Sequence, residues 1–201
     1  MIGPGRLLFR GWFSMTRAGE DLVPPGPFVV AANHYSHLDP VVVALAVRRP
    51  VRYLAVDELF GRSRFFDRLT LWLGVVPLAR ARVPLGALRV AAAELASGGA
   101  VGLFPEGVRV WRWGEVEPKR GAAWLARRAG VPLVPVAVVG TGEALGRGAA
   151  RSERRPIHVE VCPAILPGDF EQHRDPVGAM TAAWRDRVDA VHRRRYGSGP
   201  T

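Results

Sequence analysis

The sequence predicts one α/β domain, with a largely parallel or mixed central sheet flanked by helices. Three observations carry this. Short apolar runs rich in Val and Ala alternate with segments of helical period, which is the signature of strands and helices in layers. Pro and Gly stand at most of the joints between them. The chain is 201 residues long, 48% hydrophobic and 23% charged, enough to bury one core and too apolar to be disordered.

Pro24, Pro25, Gly26 and Pro27 lead into a first strand, 28–32. A polar turn follows, then a helix over 40–47 with Asp39 as its N-cap and Pro40 at its first position. Residues 51–56 form a second strand, and a mixed apolar segment spans 69–78. Leu88, Ala91, Ala92 and Leu95 share one helix face, which Gly98 and Gly99 terminate. A third strand over 100–104 is followed by a small helix, 121–129, ended by Gly130. Residues 131–140 read as a buried strand entered through Pro132. Ile157, Val159 and Val161 alternate with polar residues, as in a half-exposed strand. Asp175 and Pro176 open a last helix with Val177, Met180, Trp184, Val188 and Val191 on one face. The stretch 141–156, rich in Gly and Arg, reads as a loop.

One cysteine, Cys162, leaves no internal disulfide framework or multi-thiolate metal site and suits a reducing compartment. No uncharged run reaches the ~18–20 apolar residues of a spanning helix, so the expected protein neither crosses a membrane nor is secreted. The net charge is +10, carried by 27 Arg and a single Lys, Lys119. Such a balance favours anionic partners: phosphate-bearing metabolites, acidic lipids, an acidic carrier protein or nucleic acid. Residues 1–19 hold Arg6, Arg10 and Arg17 with Leu7, Leu8, Phe9, Trp12, Phe13 and Met15 between them. This basic amphipathic segment reads equally as a helix lying on an anionic bilayer or as a terminal helix packed on the domain of residues 20–201.

Chemistry concentrates at two strand ends, where ligands bind in α/β sheets. After the first strand comes Asn33-His34-Tyr35-Ser36-His37-Leu38-Asp39. Five residues across a strand-to-helix turn can bring a carboxylate onto one imidazole nitrogen and leave the other facing outward as a base. Three rival readings apply: Asp39 or Ser36 caps the helix and both histidines are turn residues; His34, His37 and Asp39 bind a metal; or Ser36 is a hydrolytic nucleophile. The metal reading lacks further histidines at useful spacing, and no Gly-x-Ser-x-Gly elbow surrounds Ser36. After the third strand comes Phe104-Pro105-Glu106-Gly107-Val108-Arg109, whose carboxylate and guanidinium can address a hydroxyl and a phosphate together.

In order and spacing, these segments resemble the four blocks of the glycerolipid acyltransferases that form phosphatidate from lysophosphatidate. Asn33-His34 through Asp39 resembles NHxxxxD, and Gly74 to Arg80 is similar to the GxxFIxR type of block with Pro77 in its aromatic slot. Phe104 to Arg109 resembles FPEGTR with Val108 for Thr, and residues 131–136 resemble VPxVPV. Lys119-Arg120-Gly121-Ala122 is similar to the basic-Gly-Ala segment before that last block. The likeness covers about residues 20–142.

The resemblance implies a glycerol-3-phosphate acyltransferase-like αβ domain that moves a fatty acyl group from a CoA or acyl-carrier-protein thioester to lysophosphatidate. It implies His34 as general base and Asp39 as its orienter, with no metal and no cofactor beyond the thioester co-substrate. Arg80, Arg109 and Lys119 would hold the acceptor phosphate. Glu106 would contact the glycerol hydroxyl, and Gly107 would let the substrate approach the backbone. Backbone donors would stabilise the oxyanion, Pro132 and Pro135 would shape the acyl-side wall, and Cys162 would be structural. The expected partners are a lysolipid, the acyl donor and an anionic membrane surface, at the cytoplasmic face and without nucleic acid. Val108, Val110 and Pro77 depart from the blocks and keep open another lipid or glycolipid acceptor. From other classes, a basic nucleic-acid-binding domain or a non-catalytic lipid-binding relative remains; intact His34, Asp39 and Glu106 argue against the latter.

Overall fold

The computed structural model describes residues 14–56, 76–78, 85–149 and 151–197. Seven strands form one mixed sheet: β1 (Met15–Ala18), β2 (Phe28–Ala32), β3 (Val51–Val56), β4 (Val76–Leu78), β5 (Ala100–Leu103), β6 (Leu133–Val139) and β7 (Ile157–Val161). Their order is β1-β7-β6-β2-β5-β3-β4. The run from β6 to β4 is parallel; β7 pairs antiparallel with β6 and parallel with β1. The helices are α1 (Asp39–Val47), α2 (Leu85–Ala96), α3 (Gly121–Ala129), α4 (Thr141–Leu145) and α5 (Pro176–Tyr196).

β2 explains the layering. All five of its residues are buried, as a central parallel strand requires when helices cover both faces. Strand alternation sends Phe28, Val30 and Ala32 into one core with Val42, Val43 and Ala46 of α1. Val29 and Ala31 join the other core, with Ala91 and Leu95 of α2, Ala122 and Leu125 of α3, and Met180, Trp184 and Val188 of α5. Trp184 resolves its polar end by donating Nε1–H to the Ala31 carbonyl at 2.9 Å.

Several expectations need correction. Met15–Ala18 is an edge strand, registered Met15 to Ile157, so the sheet takes up chain assigned above to the N-terminal amphipathic segment; residues 1–13 of that segment lie outside the described ones. α1 starts at Asp39 itself, which makes no cap bond to the helix, and Pro40 is its second residue. On α2 the buried positions are Ala87, Ala91 and Leu95, while Ala92 is exposed. β7 is covered rather than half-exposed: α1 packs on one face, and His158 is buried, with its Nδ1 2.8 Å from Thr16 Oγ1. Part of the expected loop 141–156 folds as α4. The last helix follows expectation, with the Asp175 carboxylate accepting from Gly178 N–H at 3.0 Å. Pro135 sits inside β6, opposite Ala31 of β2, so it is part of the sheet itself.

Asn33 extends the sheet by a side chain. Its amide donates to the Val138 carbonyl at 2.8 Å and accepts from the Val138 N–H at 2.7 Å, a two-way pair between the end of β2 and β6. Asn33 is fully buried. Replacing Asn33 by Ala strands both Val138 groups without water, and should cost about 2–4 kcal/mol in urea unfolding.

Candidate active site

Parallel β5, β2 and β6 lie side by side, so the chain leaving their C-terminal ends converges at one place. β2 delivers Asn33 and His34, and β5 delivers Phe104 and Glu106. Two backbone bonds stitch these loops. Val110 N–H donates to the His34 carbonyl at 2.8 Å, and Lys119 N–H donates to the Pro105 carbonyl at 2.7 Å.

The turn after β2 closes on Asp39. Its Oδ2 lies 2.8 Å from His34 Nδ1 and accepts the backbone N–H groups of Tyr35 and Ser36, each at 2.7 Å. Asp39 is fully buried, and its Oδ1 has no partner among the described residues. The carboxylate therefore reaches back along the chain and holds the turn, which is why it does not cap α1. Ser36 caps the turn differently: its hydroxyl accepts from Leu38 N–H at 3.1 Å and donates to the Leu145 carbonyl at 2.5 Å. Fully buried and so engaged, Ser36 is no nucleophile.

His34 is clamped in plane as well as in position. Its ring stacks on Phe104 at 4.0 Å and 17°, and Phe104 stacks on Tyr53 at 5.6 Å and 8°. Tyr53, buried in β3, anchors the stack by donating its hydroxyl to the Pro40 carbonyl at 3.0 Å. Gly102 makes room for that ring, because a β-carbon there would collide with Tyr53. With Nδ1 turned to Asp39, Nε2 keeps no hydrogen bond among the described residues, and the side chain retains 12% exposure. This is the geometry of a general base with its orienter. Sequence reading missed Tyr53 and Gly102 altogether; only spatial proximity reveals them.

Glu106 is the third group. It is 5% exposed, and neither carboxyl oxygen has a hydrogen-bond partner among the described residues. Burial pushes its carboxyl up to about 8, helped by the nearby Asp39 charge. The backbone N–H groups of His34 and Glu106 pull the other way without meeting hydrogen-bond geometry. Gly107 adopts φ 69°, and a β-carbon there would lie 2.6 Å from Lys119 Nζ. The group that approaches this glycine is therefore the Lys119 side chain, which the structure brings beside the third block. Arg109 is partly buried in the same loop. Arg80 lies outside the described residues, and of its block only the strand Val76–Leu78 is placed. Cys162 is buried, with its thiol pushed up to about 11 by that burial, and stands as a structural residue.

Glu106 gives a pH signature. Below about 4.5 its carboxyl is protonated in the folded and unfolded chains alike. Between 4.5 and about 8 the unfolded chain releases a proton that the folded chain keeps, so stability falls as pH rises through that window and then levels. Glu106→Gln removes this slope. Urea unfolding across the window should show the variant gaining on the wild type by a few kcal/mol at the alkaline end; parallel profiles would contradict the burial of an unpaired carboxyl.

Comparison with known proteins identifies the family. A family model described as Acyltransferase matches residues 15–139. A 1-acyl-sn-glycerol-3-phosphate acyltransferase of Chlamydomonas reinhardtii is 31% identical over 159 residues, 75% of this chain and 46% of the relative. One of Bacillus subtilis is 24% identical over 172 residues, 84% of this chain and 83% of the relative. The crystal structure of the 1-acyl-sn-glycerophosphate (LPA) acyltransferase PlsC from Thermotoga maritima shares the fold, with a TM-score of 0.72 at 23% identity over 94% of this chain and 76% of that one. The chain spans about half or less of the length of the first three curated relatives it matches. With more than half of its length matched by the family model, the chain belongs to the acyltransferase family.

Proposed function

We propose that this protein transfers a fatty acyl group from a CoA or acyl-carrier-protein thioester to the free hydroxyl of lysophosphatidate, forming phosphatidate. The carrying observation is the His34 Nδ1–Asp39 bond of 2.8 Å, with Nε2 making no hydrogen bond among the described residues. The names of the relatives support the same acceptor.

Neutral His34 takes the hydroxyl proton on Nε2 while Asp39 holds Nδ1–H and steadies the imidazolium that forms. The lipid oxygen attacks the thioester carbonyl, and a tetrahedral oxyanion develops. As it collapses, the C–S bond breaks and the imidazolium returns the proton to the departing thiolate. The acyl group passes directly to the acceptor, so Ser36 and Cys162 are not needed as nucleophiles. Glu106, still protonated near neutrality, offers a hydrogen-bond donor to a glycerol oxygen. Arg80, Arg109 and Lys119 hold the acceptor phosphate, and the lipid acceptor places the enzyme peripherally at the cytoplasmic face of an anionic membrane.

A second reading keeps the reaction and changes the acceptor to another lipid or glycolipid. It rests on Val108 and Val110, which leave apolar side chains where related blocks carry hydroxyls; Val110 is 2% exposed and pinned beneath His34.

His34→Ala should lower kcat by roughly 10²–10⁴-fold in a thioester-release assay while the variant still unfolds in one cooperative transition. Near-normal turnover would remove the general-base role. Arg80→Ala should raise KM for lysophosphatidate and spare an uncharged monoacylglycerol. Equal losses on both acceptors would remove the phosphate role.

A further inference from the structure

The loop that leaves the active site through Gly107 has two faces. Val110 is buried and ties the loop to the His34 carbonyl. Trp113 also turns inward, donating Nε1–H to Asp189 Oδ1 at 3.0 Å and stacking on buried His192 at 5.0 Å. Val108, just before this pair, and Trp111, between them, are exposed instead, at 49% and 65%, interleaved with Arg109 and Arg112. Across from Trp111 lies the arginine-rich segment after α4, whose Arg147 guanidinium sits 5.9 Å from the Trp111 ring centroid. Arg151, Arg154 and Arg155 are exposed along the same segment.

Between these two runs opens a groove of about 270 Å³, lined by Tyr35, Val110, Trp111, Arg112, Arg147 and Tyr196 among others. Tyr35, whose ring meets His192 edge-on at 5.9 Å, lines this groove beside α4 and the end of α5. The acids nearby are held locally: Glu115 accepts the Trp111 N–H at 2.7 Å, Glu143 accepts the Tyr196 hydroxyl at 3.1 Å, and Glu153 pairs with Arg155 at 2.8 Å.

We propose that Val108 and Trp111, flanked by Arg112 and Arg147, form the surface by which the enzyme docks on an anionic bilayer. The inference rests on the lipid-acyltransferase reading above. A large indole held outward against a guanidinium suits the headgroup region, where the ring meets acyl chains and the arginines meet lipid phosphates. Docking here holds at the bilayer surface the loop that carries Glu106 and that Val110 N–H ties to the His34 carbonyl at 2.8 Å.

The test compares the full-length chain with Trp111→Ser and with Arg147→Glu, both at exposed positions away from the catalytic and phosphate-binding groups. Sedimentation with vesicles of phosphatidylcholine and phosphatidylglycerol in equal parts should show affinity falling about tenfold in each variant. Vesicles of phosphatidylcholine alone should bind the wild type weakly. Turnover on detergent-dispersed substrates should be unchanged in both variants. Wild-type binding with undiminished variants would place the docking surface elsewhere and overturn the inference. A wild type that ignores anionic vesicles yet turns over dispersed substrate would overturn docking while sparing the chemistry, and absent turnover would sink the acyltransferase reading instead. If the variants lose affinity only for a single-stranded oligonucleotide, the patch serves nucleic acid and the proposal fails.

Discussion

The whole site depends on one buried oxygen. Asp39 Oδ2 gathers His34 Nδ1 and the N–H groups of Tyr35 and Ser36, so a single acceptor fixes both the shape of the turn and the tautomer of the imidazole. Charge-assisted bonds of this kind are strong because the carboxylate is out of water and its donors cannot be replaced by solvent. The position at the first residue of α1 contributes further, since the helix N-terminus favours a negative charge.

The sheet converts that local arrangement into a cleft. Because β5, β2 and β6 are parallel neighbours, their exits meet, and Phe104 arrives where it can stack on His34. Tyr53 comes from the next strand to brace Phe104, and Asn33 ties the start of the turn to β6. Each tie fixes a different freedom of the imidazole: Asp39 its rotation, Phe104 its plane, and Asn33 the exit direction of the strand beneath it. Glu106 adds a buried carboxyl, without a partner among the described residues, one that stays protonated where exposed carboxylates are charged.

How much of this the sequence shows depends on the range of the interaction. β2, α3 and α5 follow from apolar periodicity and from Gly130 and Asp175 at their ends, because those signals are local. The pairing of His34 with Asp39 is also legible, being five residues across one turn. The role of Asp39 as a helix cap is not what the fold uses, because two upstream N–H groups compete for the same oxygen and win. Tyr53 and Gly102 are silent in the sequence, for their effect arises only when β3 and β5 lie side by side. His158 looks solvent-facing by alternation, but β1, Thr16 and Arg195 close over it.

The arrangement of His34 can be read directly by ¹⁵N nuclear magnetic resonance of the imidazole in the full-length protein. The neutral ring should carry its proton on Nδ1 and present an unprotonated Nε2, and Asp39→Asn should abolish that preference. A neutral ring protonated on Nε2, or one averaging freely between both tautomers in the wild type, would contradict the claim that Asp39 prepares this histidine to accept a proton.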